Sequence, residues 1–163
     1  MSKGLAITFL VGLVVVALAI WGVFYKQRGA HIDPKGSILK VRTVALDDKT
    51  SAAVMDVRIS NDADYPVVAR TIEVKAVTAN GDVKGNVIAA GDLKDMFKYY
   101  QALGEQYNEV LKQRDQVPAH GSIDREVAAQ FPIPVSDLDT RKEIVVSMED
   151  IRGPVAEMHE TRK

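Results

Sequence analysis

The feature that most constrains this chain is an alternation of apolar and polar side chains that begins at Ile38 and returns in one segment after another. Successive side chains of a strand point to opposite faces, so a period of two specifies a sheet with one face in a core. "ILKVRTVAL", Ile38 to Leu46, is rich in β-branched residues and ends at the turn "DDKT". "SAAVMDVRIS" puts Met55, Val57 and Ile59 on one face and Asp56, Arg58 and Ser60 on the other. "VVARTIEVKAVT" puts Val68, Ile72, Val74 and Ala76 on one face, with Arg70 an exception at the strand start, and Thr71, Glu73 and Lys75 opposite. Asn80-Gly81 is a strong hairpin signal, and "VKGNVIAA" supplies the returning strand. After Pro118, "SIDREVAAQF" sets Ile123, Arg125, Val127, Ala129 and Phe131 against Asp124, Glu126 and Gln130. "PIPVSDLDTRK" is a connection with room for one helical turn. "EIVVSMEDI" is the next strand, and "RGP" turns it into "VAEMHET". About seven short, half-buried strands predict a mainly β fold, an antiparallel β-sandwich.

Between the strands the period breaks. "GDLKDMFKYYQALGEQYNEVLKQRDQ" has helical spacing, and a helical insertion is expected over 92–116. Asp92 suits its N-cap and Asp95 its first turn. Leu93, Phe97 and Tyr100 fall on one stripe, Met96, Leu103 and Tyr107 on another, and Val110 and Leu111 continue it. Gly104 either ends one helix or weakens a longer one. Met96, Phe97, Tyr99, Tyr100 and Tyr107 concentrate most of the domain's aromatic character in this segment. One stripe is accounted for by packing over an open edge or end of the sandwich. Tyr and Met are also favoured at partner surfaces, so these five residues are the partner-contact candidates.

Ahead of the domain, after a leader of residues 1–3, "GLAITFLVGLVVVALAIWGVFY" is a run of 22 residues without charge, Gly4 to Tyr25. As a helix it would reach about 33 Å, enough for a bilayer core of about 30 Å. Trp21 and Tyr25 suit the membrane interface, and Lys26 and Arg28 follow at once. Ala17-Leu18-Ala19 also allows a cleaved signal peptide. The apolar run continues through Ile20, Val23 and Phe24, longer than a usual signal core, and favours a retained anchor over 4–25. Residues 26–37 then form a stalk and 38–163 the domain. Lys26, Arg28 and Lys35 outnumber Lys3, which leans toward a cytoplasmic domain. An anchor with so short a leader usually carries its domain outward, and we expect the extracytoplasmic side, the periplasm in a bacterium.

Chemistry is harder to find. The chain has 21 basic and 22 acidic residues, which argues against nucleic acid as a partner, and it has no cysteine to serve as thiolate ligand or nucleophile. Asn61-Asp62-Ala63-Asp64 could offer oxygen ligands to calcium. An EF-hand loop would want Gly and Glu where Val67 and Glu73 stand, and the order and spacing of a cadherin site around Asp124-Arg125-Glu126 are absent. The missing ligand spacing favours a polar turn whose side chains bond their own backbone. His31, His120 and His159 lie far apart, and His120 is too close to Ser122 along the chain to act as its base. No phosphate loop or dinucleotide fingerprint occurs. The expectation is a protein without catalytic residues, cofactor, metal or small-molecule substrate. A metal-dependent hydrolase is disfavoured.

One stretch bears a family likeness. Val57-Arg58-Ile59-Ser60-Asn61, then Asp62-Ala63-Asp64-Tyr65-Pro66-Val67, then Ile72 and Val74, then Asn80-Gly81, and later Val117-Pro118-Ala119-His120-Gly121-Ser122, resemble the late embryogenesis abundant type 2 domain, also called the WHy (water stress and hypersensitive response) domain. The likeness covers about 38–151. It departs from the family at Asn61-Asp62-Ala63-Asp64, where Asn-Pro-Asn is typical, and at the insertion 92–116. The resemblance implies a non-catalytic β-sandwich of the fibronectin type III or immunoglobulin-like kind, with a helical insertion here, in some members membrane-anchored, with a role in desiccation and stress protection. The functional expectation is therefore a single-pass protein held in the bilayer through 4–25 and acting as an accessory or scaffold subunit of a membrane protein complex. A stress-protective envelope protein without a fixed partner is the alternative.

Overall fold

A computed structural model describes residue 4 and residues 12–22 and 34–160. The chain divides into two compact units, Met1–Ile32 and Asp33–Lys163. In the first unit residues 12–22 are helical (α1), and Leu13, Val15, Val16, Leu18, Ile20 and Trp21 are exposed. Among the described residues no helix is long and apolar enough to cross a membrane. Residues 5–11 and 23–25 of the expected span 4–25, Tyr25 among them, and residues 26–33 of the stalk, with Lys26 and Arg28, lie outside the described residues.

The second unit is a sandwich of antiparallel strands: β1 (Lys35–Ala45), β2 (Ser51–Asn61), β3 (Val67–Thr78), β4 (Gly81–Val87), β5 (Gln116–Val117), β6 (Gly121–Phe131), β7 (Glu143–Asp150) and β8 (Val155–His159). Helix α2 (Ala90–Tyr99) and a 3-10 turn (Gln101–Leu103) precede β5, and α3 (Val135–Asp139) precedes β7. The strand order is β1-β2-β6-β4-β3-β7-β8, with β5 on β3. One layer is β1-β2-β6 and the other β3-β7-β8. Strand β4 belongs to both: residues up to Gly85 pair with β3, and Asn86 and Val87 pair with β6. On the opposite side Ile38 bridges Glu160, so β8 meets β1 and the sandwich approaches a flattened barrel. Closure of this kind leaves little free strand edge.

The inner faces carry the expected apolar sets. Met55, Val57, Ile59, Val127, Ala129 and Phe131 meet Val74, Ala76, Ile144, Val146, Met148 and Met158 in one core. The start of β3 differs from the expectation. Val67 and Ala69 are in the core, and Val68 and Arg70 are not. A bulge between Ala69 and Thr71 adds one residue and restores Ile72, Val74 and Ala76 to the inner face. The Arg70 exception is the trace of that bulge.

Gly85 sits where β4 leaves one layer for the other. A Cβ there would come within 2.8 Å of Phe131 Cε1 and 3.0 Å of Ala129 Cβ, so only glycine permits the crossing strand to lie on the ring. Gly85→Ala should cost about 1–3 kcal/mol, as overpacking of a filled core does. Gly91→Ala, at an open position in the first turn of α2, should be neutral or slightly stabilising in the same denaturant titration.

Candidate functional site

The insertion lies over the outer face of β1-β2-β6. Leu93, Leu103 and Val110 close on Val54 and Ala128, with Met96, Phe97 and Tyr100 packed around them. Three of the five partner-contact candidates, Met96, Phe97 and Tyr100, are therefore half-buried members of this second core. Tyr99 and Tyr107 are not: they are 82% and 60% exposed.

The expected helix over 92–116 is shorter than its periodicity suggests. It is capped by Ala89, not Asp92, and ends at Tyr99. Gly104 has φ 71°, which terminates the 3-10 turn, and the chain then runs extended. Around Val110 it pairs parallel with β6: Leu111 N donates to Glu126 O at 2.8 Å, and Glu126 N donates to Glu109 O at 2.8 Å. Val110 and Leu111 are both buried, but they form no single stripe: Val110 joins the second core and Leu111 the first, as alternate residues of an extended chain do.

Beneath the insertion lies a buried ionic cluster that reading the strands as one-sided missed. Asp56 and Glu126, expected on a solvated face, have side chains only 7% and 0% exposed. Both contact Arg42 on β1: Nη2 lies 2.6 Å from Glu126 Oε1 and 3.3 Å from Asp56 Oδ2. Nη1 donates to the carbonyl oxygens of Leu103 and Glu105, each at 2.7 Å. The guanidinium lies 5.2 Å from the Phe97 ring centre and 5.1 Å from that of Tyr107, within cation–π range. Tyr107 N also donates to Glu126 Oε1, at 3.1 Å, and Asn108 Nδ2 to Asp56 Oδ1, at 3.2 Å. Lys40 covers the other reach of the Tyr107 ring at 5.0 Å. One arginine thus ties an irregular segment to the sheet. The sequence carried only a weak signal for it: each of Arg42, Asp56 and Glu126 has an apolar outward neighbour on one side, Val44, Val54 and Ala128, but a charged one on the other, Lys40, Arg58 and Asp124.

The acidic loop is a corner. Asn61 is 1% exposed, and its Nδ2 lies within hydrogen-bond distance of the carbonyls of Tyr65, Val117 and Pro118, at 2.7, 3.2 and 3.1 Å. Its Oδ1 accepts from Ala63 N at 3.0 Å, an Asx turn. Asp62 and Asp64 point apart, to Lys35 at 3.0 Å and to His120 at 2.8 Å. Among the described residues no three His, Asp or Glu side chains are grouped to hold a metal ion. Ser122 is exposed and no described hydrogen bond joins it to His120. A second polar anchor closes the far end, where Arg141 holds Glu160 at 2.8 and 2.6 Å and donates to Leu138 O at 2.7 Å. An open slot of about 550 Å³ separates Ile72 on β3 from Val87, Ile88, Val110 and Leu111.

No family model matches the chain, and no curated protein sequence matches it. Among solved structures it is similar to an uncharacterized β-sandwich protein from Clostridium difficile 630, at 10% identity over 79% of this chain and 86% of that one, with a TM-score of 0.39.

Because Arg42 is buried against the Asp56 and Glu126 carboxylates, Arg42→Ala should cost about 3–5 kcal/mol in a denaturant titration. The outer pair Arg58–Asp124, also doubly bonded at 2.7 Å but exposed, should cost under about 1 kcal/mol when removed. Asn61→Ala should lower the melting temperature more than Asp62→Ala or Asp64→Ala, since only Asn61 is buried and bonded to the backbone on both sides of the corner.

Proposed function

We propose that this chain is a non-catalytic, single-pass membrane protein whose β-sandwich serves as an accessory or scaffold subunit of a larger membrane assembly. The observation that carries the reading is the division of labour in the insertion. Its second core is filled by Leu93, Leu103, Val110, Met96, Phe97 and Tyr100. Tyr99 and Tyr107 lie outside that core and are exposed, Tyr99 at the end of α2 and Tyr107 beyond the 3-10 turn with its ring against the Arg42 guanidinium. An exposed tyrosine offers large contact area at low entropic cost, which is why such residues concentrate at protein interfaces.

The anchor rests on the uncharged run 4–25, bordered by Trp21, Tyr25, Lys26 and Arg28, and on the exposed apolar side chains of α1. The short leader supports an extracytoplasmic domain. The likeness of Asn61 to Val67 and the following strand to the WHy pattern supports a second reading, a stress-protective protein of that family without a fixed partner.

Purification of the full chain in mild detergent separates the two. The scaffold reading expects a membrane protein in stoichiometric amount, and Tyr99→Ser should release it without changing the melting temperature. Phe97 and Tyr100 are unsuitable probes, since truncating either opens the second core. A lone monodisperse chain overturns the scaffold reading. A compartment reporter fused after Lys163 fixes the side of the membrane.

A further inference from the structure

The cluster under the insertion is unbalanced. Fully ionised, Asp56 and Glu126 carry two negative charges against the single positive charge of Arg42, and all three side chains are under a tenth exposed. Half of the guanidinium is also committed elsewhere, since Nη1 serves the Leu103 and Glu105 carbonyls. The remaining donors on the carboxylates are Tyr107 N and Asn108 Nδ2. Glu126 Oε2 is buried and has no hydrogen-bond partner.

The charged groups around the cluster do not supply the missing cation. Lys40 lies on the Tyr107 ring at the rim. Arg125 turns to Asp115 at 3.4 Å and Glu109 at 4.0 Å, and Arg58 is paired with Asp124. Glu105 enters only through its carbonyl, and its side chain and those of Asp95 and Lys98 belong to the exposed surface of the insertion. Burial pushes the Glu126 carboxyl above the ordinary glutamate range; the Tyr107 N–H and Arg42 pull it back, and the Asp56 charge pushes it further up.

We propose that Glu126 is a proton-binding site that sets how tightly the segment from Leu103 to Leu111 is clamped to the sheet. A proton on Oε2 makes the cluster neutral and leaves Oε1 free to accept from Arg42 and Tyr107 N. When the proton leaves to solvent, two buried carboxylate charges share one guanidinium, and hydrating the second charge requires the segment to lift. The sign follows from linkage. A carboxyl whose value is raised in the folded state contributes stability below its unfolded value, and loses it as pH rises through the folded one. The clamp is tight in mild acid and looser at higher pH. This holds whether or not Tyr99 and Tyr107 meet a partner.

Amide hydrogen exchange of the full chain, corrected for the intrinsic rate, tests it from about pH 5 to about pH 8, where ordinary surface carboxylates stay ionised. Protection over Leu103–Leu111 should fall as pH rises, by up to about tenfold per pH unit, the limit for one proton. Glu126→Gln, which keeps an oxygen acceptor but no charge, should give protection that is flat with pH. Asp56→Asn should move the wild-type transition to lower pH by removing the repelling charge. Flat protection in the wild-type chain, or the same slope in E126Q, overturns the proposal. If E126Q does not fold, an unmoved transition in D56N overturns it instead.

Discussion

Arg42 is the interaction on which the outer half of this domain depends. A sandwich needs only its inner faces to be apolar, and here one layer is also covered on the outside. Beyond α2 and the 3-10 turn the cover is irregular chain, which supplies few hydrogen bonds of its own and must borrow them. Arg42 lends four contacts, two to backbone carbonyls of the insertion and two to carboxylates on neighbouring strands. Planar, permanently charged and able to stack on rings, guanidinium is the one side chain that can do this. A lysine at this place would offer no fork for two carbonyls and no flat face for Phe97 and Tyr107.

The cover in turn shapes what the protein shows to its surroundings. Because Glu126 exchanges backbone hydrogen bonds with Glu109 and Leu111, residues 109–111 occupy the β6 edge that β4 leaves free after Val87. The same exchange spaces them from Ile72 and opens the slot between the layers. Tyr99 and Tyr107 are exposed because they flank the segment that the second core and Arg42 hold. Surface and cluster are one construction, so a change of charge beneath the insertion is felt at its surface.

Much of the sandwich was legible in the sequence. Each long alternating segment corresponds to a strand within a few residues, and Asn80-Gly81 marks the β3–β4 hairpin, with Gly81 at φ 119°. Two kinds of feature were not legible. The bulge at Ala69 to Thr71 shifts a face by one residue, and nothing local in Val-Val-Ala-Arg-Thr announces it beyond the misplaced arginine. The insertion has helical spacing throughout, but Arg42, distant in sequence, takes the carbonyls of Leu103 and Glu105 that a continuing helix would have used.

The long strands, most of their inward faces and the corner at Asn61 could be read from the sequence alone. These follow from side-chain alternation and from Asx chemistry, both properties of a few consecutive residues. Only the tertiary structure decided that Asp56 and Glu126 are buried, that α2 stops at Tyr99, and which aromatic residues pack and which are shown. Each of those outcomes turns on contacts between residues as far as 84 positions apart, and no local pattern encodes the partner that a buried charge will find.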